Sequence, residues 1–351
     1  MKKCKKCVLP ENYPGIRFNH AGVCNYCLTH KKMRCRRKEE LDKFLKSFRN
    51  ENRDFDIVVG ISGGRDSSYL LYYLVKMCKL NVLAYSADNG FVSQKAKTNM
   101  KEMTDILNVK LLIEKHDFLK KCFKNNLSSW LRKPSPGMIQ MICCGCRLGM
   151  YRGLLRCAKK YQIPLVAYGS TELEKLPHKR TFLTTNPLGN MIGVRNIKSL
   201  SLLLGLLYEA LRNPFYFLNP MNLIIYIKES LYCLPLEEFF LLETMRKLLY
   251  PNQKILYFYQ YVKWDEKRIL STIEKGFNLR ALTWRSDCKV SHLKNYLLKK
   301  TVGFTDKDAI LSNMIRENMI TREEALERLC ARAENTIPQK SITELFAELT
   351  S

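Results

Sequence analysis

The chain has 351 residues, 46% of them hydrophobic, enough for a substantial core in one large domain with appendages or in two domains. Lys and Arg number 59 against 33 acids, and the formal net charge of +26 implies an anionic partner: nucleic acid, a phosphorylated small molecule or an acidic membrane surface. The composition excludes a disordered chain, a collagen-like chain and a coiled coil, and no internal repeat is visible.

Residues 1–35 form a cysteine-rich head. Its opening, MKKCKKCVLP, has no apolar signal core, so a reducing cytoplasm is expected, where clustered cysteines serve as metal ligands or catalytic groups. Cys4 and Cys7 make one CxxC pair, Cys24 and Cys27 another, with 16 residues between them. Each pair can place two thiolates on one tetrahedral ion, which predicts a structural Cys4 zinc site with no open coordination position; a redox pair is the competing reading. Basic residues crowd this end, including the run KKMRCRRK at 31–38, which reads either as a solvated helix start or as an anion-binding surface. A helical connector follows over 36–53, with Leu41, Phe44, Leu45 and Phe48 at helical spacing.

Residues 54–185 alternate short apolar runs with helical patterns. Strands are predicted at 56–61, 81–86, 110–113 and 165–169, and helices at 67–79, 93–107 and 147–161. That order predicts an α/β fold: a doubly wound, mostly parallel, Rossmann-like sheet covered on both faces, with ligands at the carboxyl ends of its strands. Residues 186–351 read as mostly helical, and Thr321 three residues before Glu324 marks a helix start. The stretch 200–242 is rich in Leu, Ile, Phe and Tyr, but charges and prolines break it short of a spanning helix. It predicts buried or interface helices, with peripheral contact to an anionic bilayer as the alternative.

The chemistry concentrates after the first strand. Ser62, Gly63, Gly64, Arg65, Asp66, Ser67 and Ser68 join that strand to a helix. Two glycines let backbone N–H groups approach a phosphate, Ser62, Ser67 and Ser68 add hydroxyls, and the helix start adds its dipole. Asp66 cannot hold bare phosphate, so it binds Mg²⁺ or fixes the loop. No GxxxxGK[ST] string occurs, which disfavours γ-phosphate transfer. The loop resembles the SGGxDSS loop of the PP-loop ATP pyrophosphatases, which cleave ATP between its α and β phosphates and leave an adenylated substrate. Ser86, Asp88 and Gly90 after the second strand, and Gly169, Ser170 and Thr171 after the fourth, fit the segments that hold the nucleoside in that superfamily.

A second cysteine group, Cys143, Cys144 and Cys146, opens a helix that carries Arg147, Arg152 and Arg156. A helix N-terminus and nearby cations lower thiol pKa values and prepare the thiolates for metal or reaction. Cys143 and Cys146 with distant Cys288 resemble the three-ligand [4Fe–4S] site of certain tRNA-thiolating PP-loop enzymes; a zinc site and plain helix-start packing stay open as alternatives. Cys35, Cys78, Cys122, Cys157, Cys233 and Cys330 lack such spacing, and the five histidines form no HxxH or HExxH pattern.

Both ends of the chain, CKKCVLPENYPGIRFNHAGVCNYC and the segments RSDC (285–288), KNY (294–296), GFT (303–305), LSNMIR (311–316) and TREEAL, resemble bacterial N-acetyl sugar amidotransferases. That resemblance implies ATP-dependent conversion of an acetamido group, on an acidic or nucleotide-linked sugar for surface polysaccharide, into an acetamidino group. It also implies ammonia delivered by separate glutaminase and cyclase-like subunits, Mg²⁺ with the ATP, and no specific nucleic acid. Arg195, Arg285 and Arg316 are candidates for the anionic sugar, and His178 has no assigned role. The competing readings are a tRNA 2-thiolation enzyme of the same superfamily, which suits the charge, and a non-catalytic zinc-containing nucleic-acid-binding module.

Overall fold

The computed structural model describes residues 1–136, 144–174, 246–277 and 287–331, with scattered positions between 139 and 223 and between 344 and 348. The head carries one helical turn, α1 (Asn25–Leu28), and the connector forms α2 (Lys38–Lys46), which buries Leu41 and Leu45 as its spacing predicts. The apolar run that follows makes β1 (Ile57–Gly60), buried at every residue.

Helix α3 (Arg65–Tyr72) begins two residues earlier than the pattern predicts, because extended Gly64 supplies the N-cap; a π-helical turn, Tyr73–Met77, continues it. β2 (Val82–Asp88) runs two residues past its predicted end and so carries Asp88 to the sheet edge. Next come α4 (Gln94–Leu107), capped by the Ser93 side chain accepting from the Ala96 N–H, and β3 (Lys110–Lys115). α5 (Asp117–Arg132) was not anticipated; α6 (Cys144–Lys160) leads into β4 (Leu165–Tyr168).

All pairings are parallel, in the order β3-β2-β1-β4-β5. The fifth strand, β5 (Lys254–Leu256), comes from the region predicted to be mostly helical and pairs with β4. Three residues are too few to show a period, so β5 is defined by its partner. Alternation along the strands serves two cores. Val58, Leu83, Tyr85 and Val166 pack with Leu154, Leu155 and Ala158 of α6. Ile57, Val59, Ala84 and Ala167 face α3 and α4 through Leu70, Leu71, Met100 and Met103, joined by Ile269 and Ile273. The sheet is therefore wound on both faces, as alternating strands and helices require.

The C-terminal part is helical: α7 (Glu266–Phe277), α8 (Lys289–Val302), α9 (Asp306–Arg316) and α10 (Arg322–Cys330). Thr321 caps α10 by accepting the Glu324 N–H, as its spacing predicts, and Thr305 with Asp308 forms a reciprocal capping box on α9. Among the described residues no helix is long and apolar enough to cross a membrane. Most of 200–242 lies outside the described residues.

Candidate nucleotide site and metal centre

Strand order reverses at β1: the chain runs outward through β2 and β3, then returns to place β4 on the other side of β1. A sheet of this kind opens a crevice at that switch point, beyond the carboxyl ends of the strands. The loop Ser62–Ser68 leaves β1 there. Gly63 has φ +74, and a Cβ on it would stand 2.3 Å from the Ala96 carbonyl oxygen, so only glycine lets α4 close on the loop. From the other side, a Cβ on Gly169 would meet the Ser67 nitrogen at 2.9 Å, so the residue after β4 lies directly on the loop backbone.

Within the loop, the Ser62 N–H donates to Ser67 Oγ (3.2 Å) and the Gly64 N–H to Ser62 Oγ (3.3 Å). The Ser67 and Ser68 hydroxyls donate to the Gly64 carbonyl (3.1 and 2.7 Å), an i−3 and i−4 contact that turns them onto the loop's own backbone. Asp66 Oδ1 accepts the indole N–H of Trp264 (2.7 Å) and lies 3.9 Å from Arg65 Nε, while Tyr259 donates to the Asp66 carbonyl (3.1 Å). Trp264 and Tyr259 follow β5, and no sequence signal pointed to them; an unpaired indole N–H is the kind of group that seeks such a partner. The Arg65 guanidinium in turn lies over the Trp264 ring and bonds Glu266.

Ser86 is buried on β2. Asp88 accepts from Lys97 Nζ and from the Gly90 N–H, both at 2.9 Å. Burial resists its charge, yet those two donors hold its carboxyl below the usual carboxylate range. Ser170 is exposed next to Gly169.

Asp287 and Cys288 reach the segment after β2 from far along the chain. Cys288 pairs with Val92 in an antiparallel bridge, the Ser93 N–H donates to the Asp287 carbonyl (2.9 Å), and the Lys289 N–H donates to that of Phe91 (3.1 Å). The Asn89 amide lies 3.9 Å from Cys288 Sγ. Cys288 thus sits beside residues 89–93, which follow β2, whereas Cys143 and the side chain of Cys146 lie outside the described residues, as do Arg195 and Arg285.

The four head cysteines come together as their spacing predicts. Cys4, Cys7, Cys24 and Cys27 are buried, and their sulfurs all lie within 4.8 Å of one another, with 3.7 Å between those of Cys7 and Cys24. A tetrahedral ion with bonds of about 2.3 Å separates its sulfurs by about 3.8 Å, so the group fits a single ion; four irons would hold the ligands farther apart. The Cys4 sulfur accepts backbone N–H groups of Lys6 and Cys7 (3.4 Å each) and Cys24 (3.2 Å), the arrangement of a thiolate knuckle. Hydrogen bonds from Cys24 and Cys27 hold the Cys7 thiol well below its ordinary value. Arg316 is placed here rather than at an anionic substrate: its Nη1 lies 3.6 Å from Cys7 Sγ and 3.9 Å from Cys27 Sγ. Arg322 donates to the carbonyls of Cys4 and Cys7, both at 3.2 Å. His178 is fully buried, with Nδ1 3.1 Å from the Tyr13 hydroxyl and Nε2 2.9 Å from Asp306, which also accepts from Lys294 (2.8 Å).

No protein-family model matches the chain. It is similar to an uncharacterized protein of Methanocaldococcus jannaschii, 30% identical over 121 residues (33% of this chain, 43% of that one). It is also similar to the tRNA-5-methyluridine(54) 2-sulfurtransferase of Thermotoga maritima, 26% identical over 134 residues (38% of this chain, 42% of that one). The chain therefore spans less than half the length of the curated relatives it matches. Distant likenesses among solved structures include the U34-tRNA thiolase NcsA from Methanococcus maripaludis with its [4Fe–4S] cluster (15% identical, TM-score 0.36, 97% of this chain and 96% of that one). The NMN synthetase of Francisella tularensis (13%, 0.38, 86% and 95%) and an NH3-dependent NAD synthetase of Campylobacter jejuni (15%, 0.30, 56% and 92%) are also similar.

Proposed function

We propose that the chain is an ATP-pyrophosphatase-type enzyme that adenylates an oxygen of its substrate so that a nitrogen or sulfur nucleophile can displace it. The observation that carries this reading is the glycine loop at the switch point of a parallel sheet, pressed by α4 on one side and by Gly169 on the other. The amide or carbonyl oxygen attacks the α-phosphorus, and the bond to pyrophosphate breaks. The nucleophile then adds to the activated carbon, AMP departs with the original oxygen, and the nucleophile's surplus proton is released. An unactivated amide oxygen is a very poor leaving group, so the adenylate supplies most of the needed driving force. Mg²⁺ bound with the polyphosphate would neutralise it, and Asp66 with the loop serines offers the hard oxygen ligands it prefers. Zinc suits the Cys4, Cys7, Cys24 and Cys27 site in a structural role.

Two acceptors divide the superfamily reading. Similarity to a tRNA 2-sulfurtransferase supports sulfur transfer to tRNA, in keeping with the net charge of +26. The resemblance of both termini to N-acetyl sugar amidotransferases supports ammonia transfer to an acetamido sugar, and the comparisons back it less well than they back thiolation. Cys288, paired with Val92 beyond the carboxyl end of β2, suits a sulfur or cluster role, with Cys143 and Cys146 as its proposed partners. The deciding experiment measures AMP release in two arms: ammonia with acetamido sugars, and a sulfur donor with tRNA. AMP in one arm assigns the acceptor, and AMP in neither, with Asp66→Asn equal to the parent protein, refutes the enzyme reading.

A further inference from the structure

Resting on the reading of Ser62–Ser68 as the ATP loop, we propose that Asp287 is a positioning residue that makes triphosphate binding conditional on a divalent cation. Its Oδ2 lies 3.7 Å from the point where a Cβ on Gly64 would stand, so a carboxylate faces the centre of the phosphate loop. The position is set by backbone: the Ser93 N–H holds the Asp287 carbonyl, the Lys289 N–H bonds Phe91, and the bridge between Val92 and Cys288 lies between them.

Asp66 and Asp287 each bring a carboxylate to this loop, and they differ. That of Asp66 is answered within the protein by the Trp264 indole and Arg65. No hydrogen bond or ion pair to the Asp287 side chain occurs among the described residues. The nearby imidazole of His292 is held below its usual range by burial, so at neutral pH it supplies no compensating charge. Nor does the Asp287 carboxylate accept a hydrogen bond from the loop's N–H groups, so it does not occupy the phosphate's own donors.

A triphosphate on this loop would bring several negative charges within a few ångströms of Asp287. Even at the dielectric of bulk water, unit charges about 4 Å apart repel strongly enough that several of them are worth roughly tenfold in affinity. A divalent cation between the two reverses the sign, because carboxylate and phosphate oxygens are both hard ligands. Asp287 therefore rejects the free nucleotide and accepts the metal-bound one. It also explains why a residue beyond position 280 is threaded back onto a loop near position 64.

Calorimetric titration of the full chain with α,β-methylene-ATP, in Mg²⁺ and in EDTA, tests this without turnover. The parent protein is expected to bind much more weakly in EDTA. In Asp287→Asn, binding in EDTA should tighten about tenfold and the ratio between the two conditions should shrink accordingly. Asp287→Ser serves as a second variant should the asparagine protein be unstable, and the same outcome is expected of it. If the parent binds in Mg²⁺ and either folded variant keeps the parent's ratio, the role of Asp287 is refuted while the ATP reading stands. If the parent binds in neither condition, both are refuted.

Discussion

Gly63 and Trp264 each hold the glycine loop in a way that one substitution can probe. Gly63→Ala forces a side chain into the left-handed region and within 2.3 Å of the Ala96 carbonyl. The backbone strain alone costs about 1–2 kcal/mol, and α4 must also move, so urea unfolding should show a loss of about 2 kcal/mol or more with weakened nucleotide binding. Trp264→Phe keeps the ring under Arg65 but removes the N–H that Asp66 accepts at 2.7 Å. A hydrogen bond to a charged group is worth about 1.5–3 kcal/mol, and the urea midpoint should fall by that amount divided by the m-value, which stays unchanged. Trp264 was invisible as a site residue because its significance depends on a partner 198 positions away. The glycines were legible, because their local consequence, a tight turn after an apolar run, does not depend on distant chain.

At the scale of elements, α7 acts as a clamp between α3, the helix that follows β1, and α10. Glu266 at its start bonds Arg65 of α3 and Arg328 of α10, the latter at 2.7 Å. Burial opposes its charge, but the two guanidinium groups hold its carboxyl below the usual range. A depressed carboxyl stabilises the fold above its unfolded value of about 4.3 and loses that contribution as pH falls through the lower folded value. The melting temperature of the parent should therefore drop below about pH 4.3 more steeply than that of Glu266→Gln, while the variant is less stable at neutral pH. Equal slopes in the two pH profiles would show that the clamp carries no such linkage. Helix α4 and strand β2 were legible within two residues, since Ser93 and Asn108 give α4 both a cap and a left-handed stop. Strand β5 was not, because a three-residue edge exists through β4 alone.

Across the whole molecule, the metal head is fastened to the far end of the chain. Arg316 of α9 donates toward two of its sulfurs, Arg322 of α10 bonds two of its carbonyls, and the Val8 N–H bonds Ser312 (3.2 Å). Such partners balance the negative charge that four thiolates leave around a divalent ion, and replacing one typically costs 10–100-fold in metal affinity. Arg316→Met should weaken metal retention by about that factor, read as competition with a chromophoric chelator. Stripping the metal with a mercurial reagent should expose α9 and α10 to limited proteolysis before the sheet yields. Simultaneous cleavage of both regions would mean that the head does not hold the helices.

The local chemistry was written in the chain: two CxxC pairs at knuckle spacing, a glycine–serine loop between a buried strand and a helix, and alternating elements that imply a parallel sheet. Each works within a few residues, where steric and hydrogen-bonding rules act without knowledge of the rest. Tertiary structure alone decided that Arg316 serves the sulfurs, that Trp264 and Tyr259 brace Asp66, that Asp287 lies against the glycine loop, and that Cys288 pairs with Val92. Those contacts join residues roughly 190 to 310 positions apart. Only burial of the two cores and the docking of the head bring them together, and no local periodicity encodes that.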